Sequence, residues 1–455
     1  MYSKLLNAGA CLLPLLACTV DAATFKLPIN TNATAIRKIS LDAAKVAPVR
    51  VGTAVYFQTN PLGKPNEIVA AKINGDGSIS SHKRHLTGGK GGAAPVAKED
   101  DDGKIARLQL ASTNDALFSQ HSVITSGNLL FTVNAGSNDI TMFTIDPKDP
   151  LQLNKVGKSI TSHGDLPVSL AYSPKLKTLC VANSGKRDGV ACYDVDPEKG
   201  LSCTDKEPLE RKIGTVKDGP RGTVSDIFFS DDQKFLVVIT KGDNVKNEPS
   251  IVDIYRTYPD KKRKVCYEVV RSKITEAPLL FGAVQVSPTK IYATDGSFGL
   301  TKLTIDPKTL KVTLQKDADK EVIDFQSATG WIAKHQKHNT VYVTDGKMNR
   351  VVEFDASNGE RSQEKPFLSG QPGNLDVAIG GDFLYTLSPS NSALGTNVSM
   401  VQVMHITGKG TFQDVGAYIF DEKDDIPAGA HGMAMSCKTR VARLGRRAAP
   451  LNYFF

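Results

Sequence analysis

Short runs in which apolar and polar residues alternate recur along most of the chain. "LLFTV" (129–133), "LVVIT" (236–240) and "TVYVT" (340–344) are rich in β-branched and aromatic residues, and "DITMFTID" (139–146) sets Ile140, Met142 and Ile145 among polar neighbours. A period of two puts successive side chains on opposite faces of a strand, so each run predicts a short β-strand. Beyond the first two dozen residues no stretch carries a convincing helical period. The predicted class is all-β.

The strands come in repeated groups. "FTVNAGSNDITMFTIDP" (131–147) returns as "CVANSGKRDGVACYDVDP" (180–197), as "YATDGSFGLTKLTIDP" (292–307) and, more faintly, as "YVTDGKMNRVVEFDAS" (342–357). Each reads as strand, tight polar turn, strand. Asn134, Asn183, Asp295 and Asp345 hold the same place in these turns, at intervals of roughly 50 residues or twice roughly 56. The stretches 54–79, 227–243 and 376–391 fill the remaining places. Seven units result, starting near residues 51, 121, 166, 222, 280, 328 and 374. Units of this length with three or four short strands predict the blades of a β-propeller. One blade cannot bury both its faces, whereas a closed ring can. "AHGMAMSCK" (430–438) reads as an inner strand like "QHSVITSG" (120–127), and only a basic tail follows it. The unit at 51 lacks such a strand. The expectation is a seven-bladed β-propeller over residues 50–437, closed by a C-terminal strand that completes the N-terminal blade.

The flanking segments differ in kind. Lys4, a mostly apolar run from Leu5 to Val20 and the small residues of "VDAA" (20–23) read as an export signal over residues 1–22. The apolar run is short of the ~20 residues a membrane span needs, and no later segment approaches that length, so no membrane span is expected. Residues 23–49 form an N-terminal extension and 438–455 a basic flexible tail, in which Arg446-Arg447 is a candidate dibasic processing site. The expected product is secreted, with Asn32 and Asn397 in sequons as glycosylation acceptors. "LTGGKGGAAPVAKEDDDGK" (86–104) lacks apolar periodicity and reads as a mobile loop. It is not a phosphate-binding loop, because Gly91 rather than Ser or Thr follows Lys90 and no helix follows.

Charge and cysteines narrow the function classes. Of the net +8, five positive charges lie after Cys437, at Lys438, Arg440, Arg443, Arg446 and Arg447. The folded body therefore has no basic footprint for nucleic acid. Cys11 and Cys18 fall in the signal, leaving Cys180, Cys192, Cys203, Cys266 and Cys437. In an oxidising compartment Cys180 and Cys192, flanking the turn "ANSGKRDG" (182–189), would face each other across a hairpin; Cys192 with Cys203 is the other pairing the sequence leaves open. No C-x-x-C or clustered Cys/His spacing suggests zinc, and no cofactor is expected.

The repeated turns admit two uses. Asn, Asp and Gly reverse a chain in few residues because they tolerate positive φ and bond their own backbone. In a propeller the same turns ring one mouth of the central channel, where the oxygens of Asn134, Asn183, Asp295 and Asp345 could ligate a hard cation such as Ca²⁺ or hydrogen-bond a polyhydroxylated ligand. His121 and His431 both begin inner strands and add titratable groups to that pocket. No G-x-S-x-G elbow and no H-E-x-x-H motif occurs.

On "AVYFQTN" (54–60), "LFTVNAGSNDITMFTIDP" (130–147), "CVANSGKRDGVACYDVDP" (180–197) and "AHGMAMSC" (430–437), the chain resembles the fungal secreted proteins of the 3-carboxymuconate cyclase-like group, within the lactonase family of seven-bladed propellers. The resemblance covers roughly residues 50 to 437. Enzymes of this family open or close lactones without a required metal, and the muconate-cyclising members use a histidine, arginines and a glutamate. Carried over stretch by stretch, the resemblance implies His121 as that histidine and Arg221, in "PRGTVSDIFFS" (220–230), as one arginine. Val168 stands where a second arginine is expected, and Asn183 near the place of the glutamate. An anionic tricarboxylate needs paired cations, so muconate cyclisation is not expected. Secreted relatives of the subgroup are cell-surface glycoprotein antigens and adhesins. The resemblance thus implies a monomeric, non-catalytic, secreted glycoprotein that binds host, matrix, glycan or cell-wall ligands and is associated with the cell wall. The alternative is a lactone-forming or lactone-hydrolysing enzyme centred on His121 and Arg221.

Overall fold

The computed structural model describes residues 49–99, 105–109, 115–203, 221–244, 246–315, 317–368 and 370–440. The described residues all belong to one compact unit. The expected export signal and extension, the Asn32 sequon and the tail beyond Arg440 lie outside the described residues. Among the described residues the helical pieces are three 3-10 turns, Asp317–Asp319, Ser392–Leu394 and Glu422–Asp424, and no helix is long and apolar enough to cross a membrane.

Seven antiparallel sheets form the seven blades of a β-propeller. The innermost strands of blades 2 to 7 are Val123–Ser126, Pro167–Ser173, Val224–Phe229, Leu280–Ser287, Thr329–His335 and Leu375–Gly380. Blade 1 is built from both ends of the chain. Val49–Gln58 pairs antiparallel with His431–Arg440, which takes the innermost place. Inner strands of successive blades pack side by side around the ring, 375–380 against 431–440 and 431–440 against 123–126. The strands reach a residue or a few beyond the expected limits of 50 and 437.

The alternation in sequence becomes burial between blades. Tyr56, Ile68 and Ala70 of blade 1 pack with Leu130, Phe143 and Ile145 of blade 2. Trp331, Tyr342 and Val351 of blade 6 pack with Leu375, Leu384 and Met404 of blade 7. Burying each such large side chain stabilises by about 1.5–3 kcal/mol. Both faces of every blade need a neighbour, so a missing blade would expose two apolar surfaces at once.

The reading of 86–104 as a mobile loop is corrected. Residues up to Lys90 complete the outer strand of blade 1, Ile79–Lys90, and Pro95–Glu99 pairs with Ile105–Gln109 as a separate hairpin. The glycines serve close packing: a Cβ on Gly89 would meet the Asn134 side chain, and one on Gly91 the Pro61 backbone. A run without apolar period can still be a strand where backbone approach, not side-chain burial, decides.

Cys180 and Cys192 sit directly opposite each other in blade 3 and form a disulfide, their Cα atoms 4.1 Å apart. The bond closes a short loop in the unfolded chain, which in the chain-entropy view is worth about 3 kcal/mol. Replacing both residues with Ala is expected to lower unfolding stability by about 1–3 kcal/mol in denaturant titration. Unchanged stability would contradict a structural bond here.

Candidate active site on the propeller axis

Near its start, the inner strand of blades 3 to 7 slips register against its neighbour, and the closing strand of blade 1 does the same at Gly432. A bulge leaves ladder groups unpaired and re-aims side chains. Here the freed backbone groups pair with the next blade. Leu170 N–H donates to His121 O (3.0 Å). Ser169 Oγ accepts from Ile227 N–H (3.2 Å) and donates to Gln120 O (2.7 Å). Asp226 Oδ2 accepts from Ala283 N–H and Asp376 Oδ2 from Met433 N–H, at 3.0 and 2.8 Å. These bonds form a buried polar girdle around the axis.

The segment Asp115–Ser122, which leads into blade 2, crosses the axis inside this girdle. Gln120 N–H donates to Ser225 O in blade 4 (2.8 Å). The Gln120 side chain reaches blade 6, where its Oε1 accepts from Ile332 N–H (3.0 Å) and its Nε2 donates to Ile332 O (3.1 Å). Gly282 leaves the room, since a Cβ there would fall 2.1 Å from Gln120 Oε1. Asp115, Phe118 and His121 all have positive φ, at 59, 53 and 64°. Such backbone costs about 1–3 kcal/mol per residue and persists only where its surroundings over-determine it.

On one side of this plug lies a cavity of about 660 Å³. Its floor carries Gln120, His121 and Asp376, and its walls follow the inner strands to Ser126, Pro174, Asp231 and Gln336 at their far ends. His121 Nδ1–H donates to Asp226 Oδ1 at 2.6 Å; Asp226 is fully buried, while the imidazole keeps 30 % of its surface exposed. The Ile332 backbone fixes the orientation of the Gln120 amide, whose second N–H faces His121 Nε2 at 3.2 Å. Nε2 is therefore the unprotonated, accepting nitrogen of the neutral ring. Burial pulls the His121 pKa down, but the Asp226 carboxylate, with help from Asp376, outweighs it and holds the ring above the ordinary histidine value. Asp376 is itself pushed up to about 6 by burial, against the charges of His431 and His121 and its two backbone N–H donors.

His431 belongs to a second, sealed cluster. Its Nδ1 lies 2.9 Å from Ser122 Oγ and its Nε2 3.1 Å from Asp115 Oδ1. The order Ser–His–Asp resembles a hydrolytic triad, yet Ser122 and His431 are fully buried and neither lines the cavity. The contacts instead fasten the closing strand to the plug. Lys241 completes the cluster, donating from Nζ to Phe118 O (2.6 Å) and Val224 O (3.3 Å). Burial pulls its pKa down to about 7, against the carboxylates of Asp115 and Asp226.

The four repeated turns lie on one rim, at the ends of second strands: Asn183 pairs with Pro167, Asp295 with Leu280 and Asp345 with Thr329, all at inner-strand starts. None lines the cavity, which opens at the opposite ends of those strands. Three of the side chains clip backbone, and Asn134 bonds other side chains. Asp345 accepts from Ser327, Ala328 and Lys347 N–H, and Asp295 from Leu279 and Ser297 N–H. Asn134 bonds Asn66, Thr87, Asp139 and Thr141, and Asn183 donates to Ser162 O and Gly189 O. Arg221 bonds Asn244 and Asp243 on the surface and does not line the cavity. Val168 is fully buried at a bulge, its carbonyl accepting from Ser119 Oγ. Asn397 is exposed in the loop before Met400–Gly408. Among the described residues no three His, Cys, Asp or Glu side chains group as metal ligands.

No protein-family profile and no curated protein sequence matches the chain. Its similarity is to solved structures. The periplasmic gluconolactonase of Pseudomonas aeruginosa superposes with a TM-score of 0.57 at 15 % identity, over 85 % of this chain and 99 % of that one. A 6-phosphogluconolactonase-like protein of Bacteroides fragilis gives 0.56 at 12 % identity, over 86 % and 99 %. The fold shared with both is the seven-bladed β-propeller. The likeness extends to a hypothetical selenium-binding protein of Sulfolobus tokodaii, with a TM-score of 0.53 at 10 % identity over 87 % and 95 %.

Two outcomes test the site's electrostatics. His431→Ala leaves the partly buried Asp115 with no imidazole partner and empties a fully buried site, and is expected to cost about 2 kcal/mol of stability by denaturant titration; a loss below about 0.5 kcal/mol would contradict the fastening role. Asp376 has a folded pKa above its unfolded value, so the folded state holds an extra proton between about pH 4 and 6. Its contribution is present below that window and is lost as pH rises through it. The stability of wild type relative to Asp376→Asn is expected to fall by on the order of 2 kcal/mol from pH 4 to 7. A flat or rising difference would refute the burial of this acid.

Proposed function

We propose that the protein acts on a small lactone, or the matching hydroxy acid, in its axial cavity, with His121 as the general base. The observation that carries this reading is the His121–Asp226 pair exposed on the floor of a cavity of about 660 Å³, a size suited to a small ligand. In lactone hydrolysis a proton is removed from water as its oxygen adds to the carbonyl carbon; the ring C–O bond then breaks, and the imidazolium returns the proton to the departing alkoxide. Neutral His121 has its lone pair on Nε2, and Asp226 steadies the imidazolium that forms. Gln120 donates to that lone pair, and a water or ligand hydroxyl takes its place. The lactonase names of the structural neighbours motivate the substrate class. Arg221 has no part in this scheme. The leader read in the sequence and the exposed Asn397 support action after export, as a glycoprotein.

A second reading is a secreted protein of the adhesin type, cell-wall associated, that binds without turnover. The Gln120 amide on His121 Nε2 favours it, since a base whose lone pair is engaged is a poor base. Hydrolysis of glucono-δ-lactone, muconolactones and γ-butyrolactone by wild type and His121→Ala separates the two. The lactone reading expects turnover that drops about 10²–10⁴-fold in the variant. It also expects kcat/KM to rise with pH through a value above that of ordinary histidine, because the base works deprotonated. Saturable binding without turnover would favour the second reading. Turnover unchanged in His121→Ala would refute the site.

A further inference from the structure

A second cleft, of about 460 Å³, opens on the rim of blade 6 between the loop preceding Thr329 and the outer strand Arg361–Pro366. Phe325 stands at its edge with 90 % of its surface exposed and φ at 57°. A bulky residue in the left-handed region is uncommon, and here it holds an aromatic ring out in water. Arg350 is the buried lining group, at 8 % exposure. Its Nη1 donates to Glu364 Oε1 (2.8 Å) and its Nη2 to Asp324 O (2.8 Å), with Asp345 Oδ2 4.0 Å away. Its Nε, also buried, finds no hydrogen-bond partner among the described residues. The guanidinium is thus held by its two Nη groups, which are the part of Arg350 turned to the lining carboxylate, while Nε lies shielded behind them.

Charge decides the chemistry of the occupant. Two guanidiniums, Arg350 and Arg361, face two carboxylates, Asp324 and Glu364, and Arg361 lies 3.7 Å from each. The lining is neutral overall, so an added anion would have to displace Glu364 or Asp324 from an existing pair. A neutral ligand with hydroxyls suits this balanced lining: its oxygens accept from the guanidiniums, and its O–H groups donate to Asp324 and Glu364. Phe325 supplies a flat apolar face for the C–H side of a sugar ring. We propose that this cleft is a saccharide-binding site, separate from the axial cavity and built for a neutral pyranose or disaccharide.

Titration calorimetry and ligand-observed NMR with methyl α-D-mannoside, methyl β-D-glucoside, cellobiose and sodium acetate test it on the whole protein. At least one sugar is expected to bind saturably, with Kd on the order of 1 mM, and to be weakened at least about tenfold by Phe325→Ala. Phe325 is exposed, so its loss leaves the fold intact. Glu364→Gln, which keeps the volume, is expected to weaken the same sugar, while His121→Ala leaves it unchanged and so separates this site from the axial one. Absence of binding by every sugar at about 10 mM would overturn the proposal. So would sugar binding unaffected by Phe325→Ala, or binding of acetate alone, which would mean an anion site.

Discussion

Each blade of this protein has two apolar faces and no means of covering either alone, so the ring must close completely. Closure falls to a single pairing, in which His431–Arg440 adds to Val49–Gln58. The two partners come from opposite ends of the folded chain. Joining them costs loop-closure entropy that no local contact repays, but this grows only slowly with chain length. The return is burial on both sides of blade 1, where Phe57, Val69 and Ala71 meet Tyr385 and Val401 of blade 7 and Tyr56 meets Phe143 of blade 2.

Closure also brings the inner strands together at their bulged starts, and there the core turns polar. Gln120, Ser225, Asp226, Asp376 and His431 are all buried within this girdle. Buried polar groups are tolerable only when satisfied, and the girdle does this by lending one blade's side chains to the next blade's backbone. The same bonds give His121 its orientation. Asp226 is held by Ala283 from blade 5, and Gln120 by Ile332 from blade 6. The floor of the cavity is thus as rigid as the ring itself, and chemistry placed there inherits that rigidity.

Much of the fold was legible because periodicity reports burial. The seven unit starts read from the repeats fall within about three residues of the observed strands, and the shared rim of Asn134, Asn183, Asp295 and Asp345 followed from their common place in the repeat. The cysteine pair was legible for the same reason, since hairpin register sets Cys180 opposite Cys192. The site was legible only in part. His121 stood out as a histidine at an inner-strand start, but Asp226 and Asp376 did not. Each lies one or two residues inside an inner strand, where a bulge turns it to the axis, and bulges leave no mark in an alternation of this length. The acidic residue in a mostly apolar run, in "VSDIFF" and "LDVAIG", is the signal that could have found them. The repeated turn residues were more conspicuous because they recur, yet they recur for a structural reason: each clips the turn that lets a blade reverse. Arg221 came from resemblance alone, and its neighbours Asp243 and Asn244 hold it at the surface.

Backbone groups freed by the bulges are satisfied from the adjacent blade or the axial plug, and this makes the girdle the last part of the molecule to open. Native-state hydrogen exchange reads this directly. The amides of Leu170, Ile227, Ala283, Ile332 and Met433 are predicted to exchange only through global unfolding, with a common free energy that tracks denaturant as the whole protein does. Exchange of these amides by local opening, at rates typical of surface turns, would mean that the girdle opens before the ring and does not hold it together.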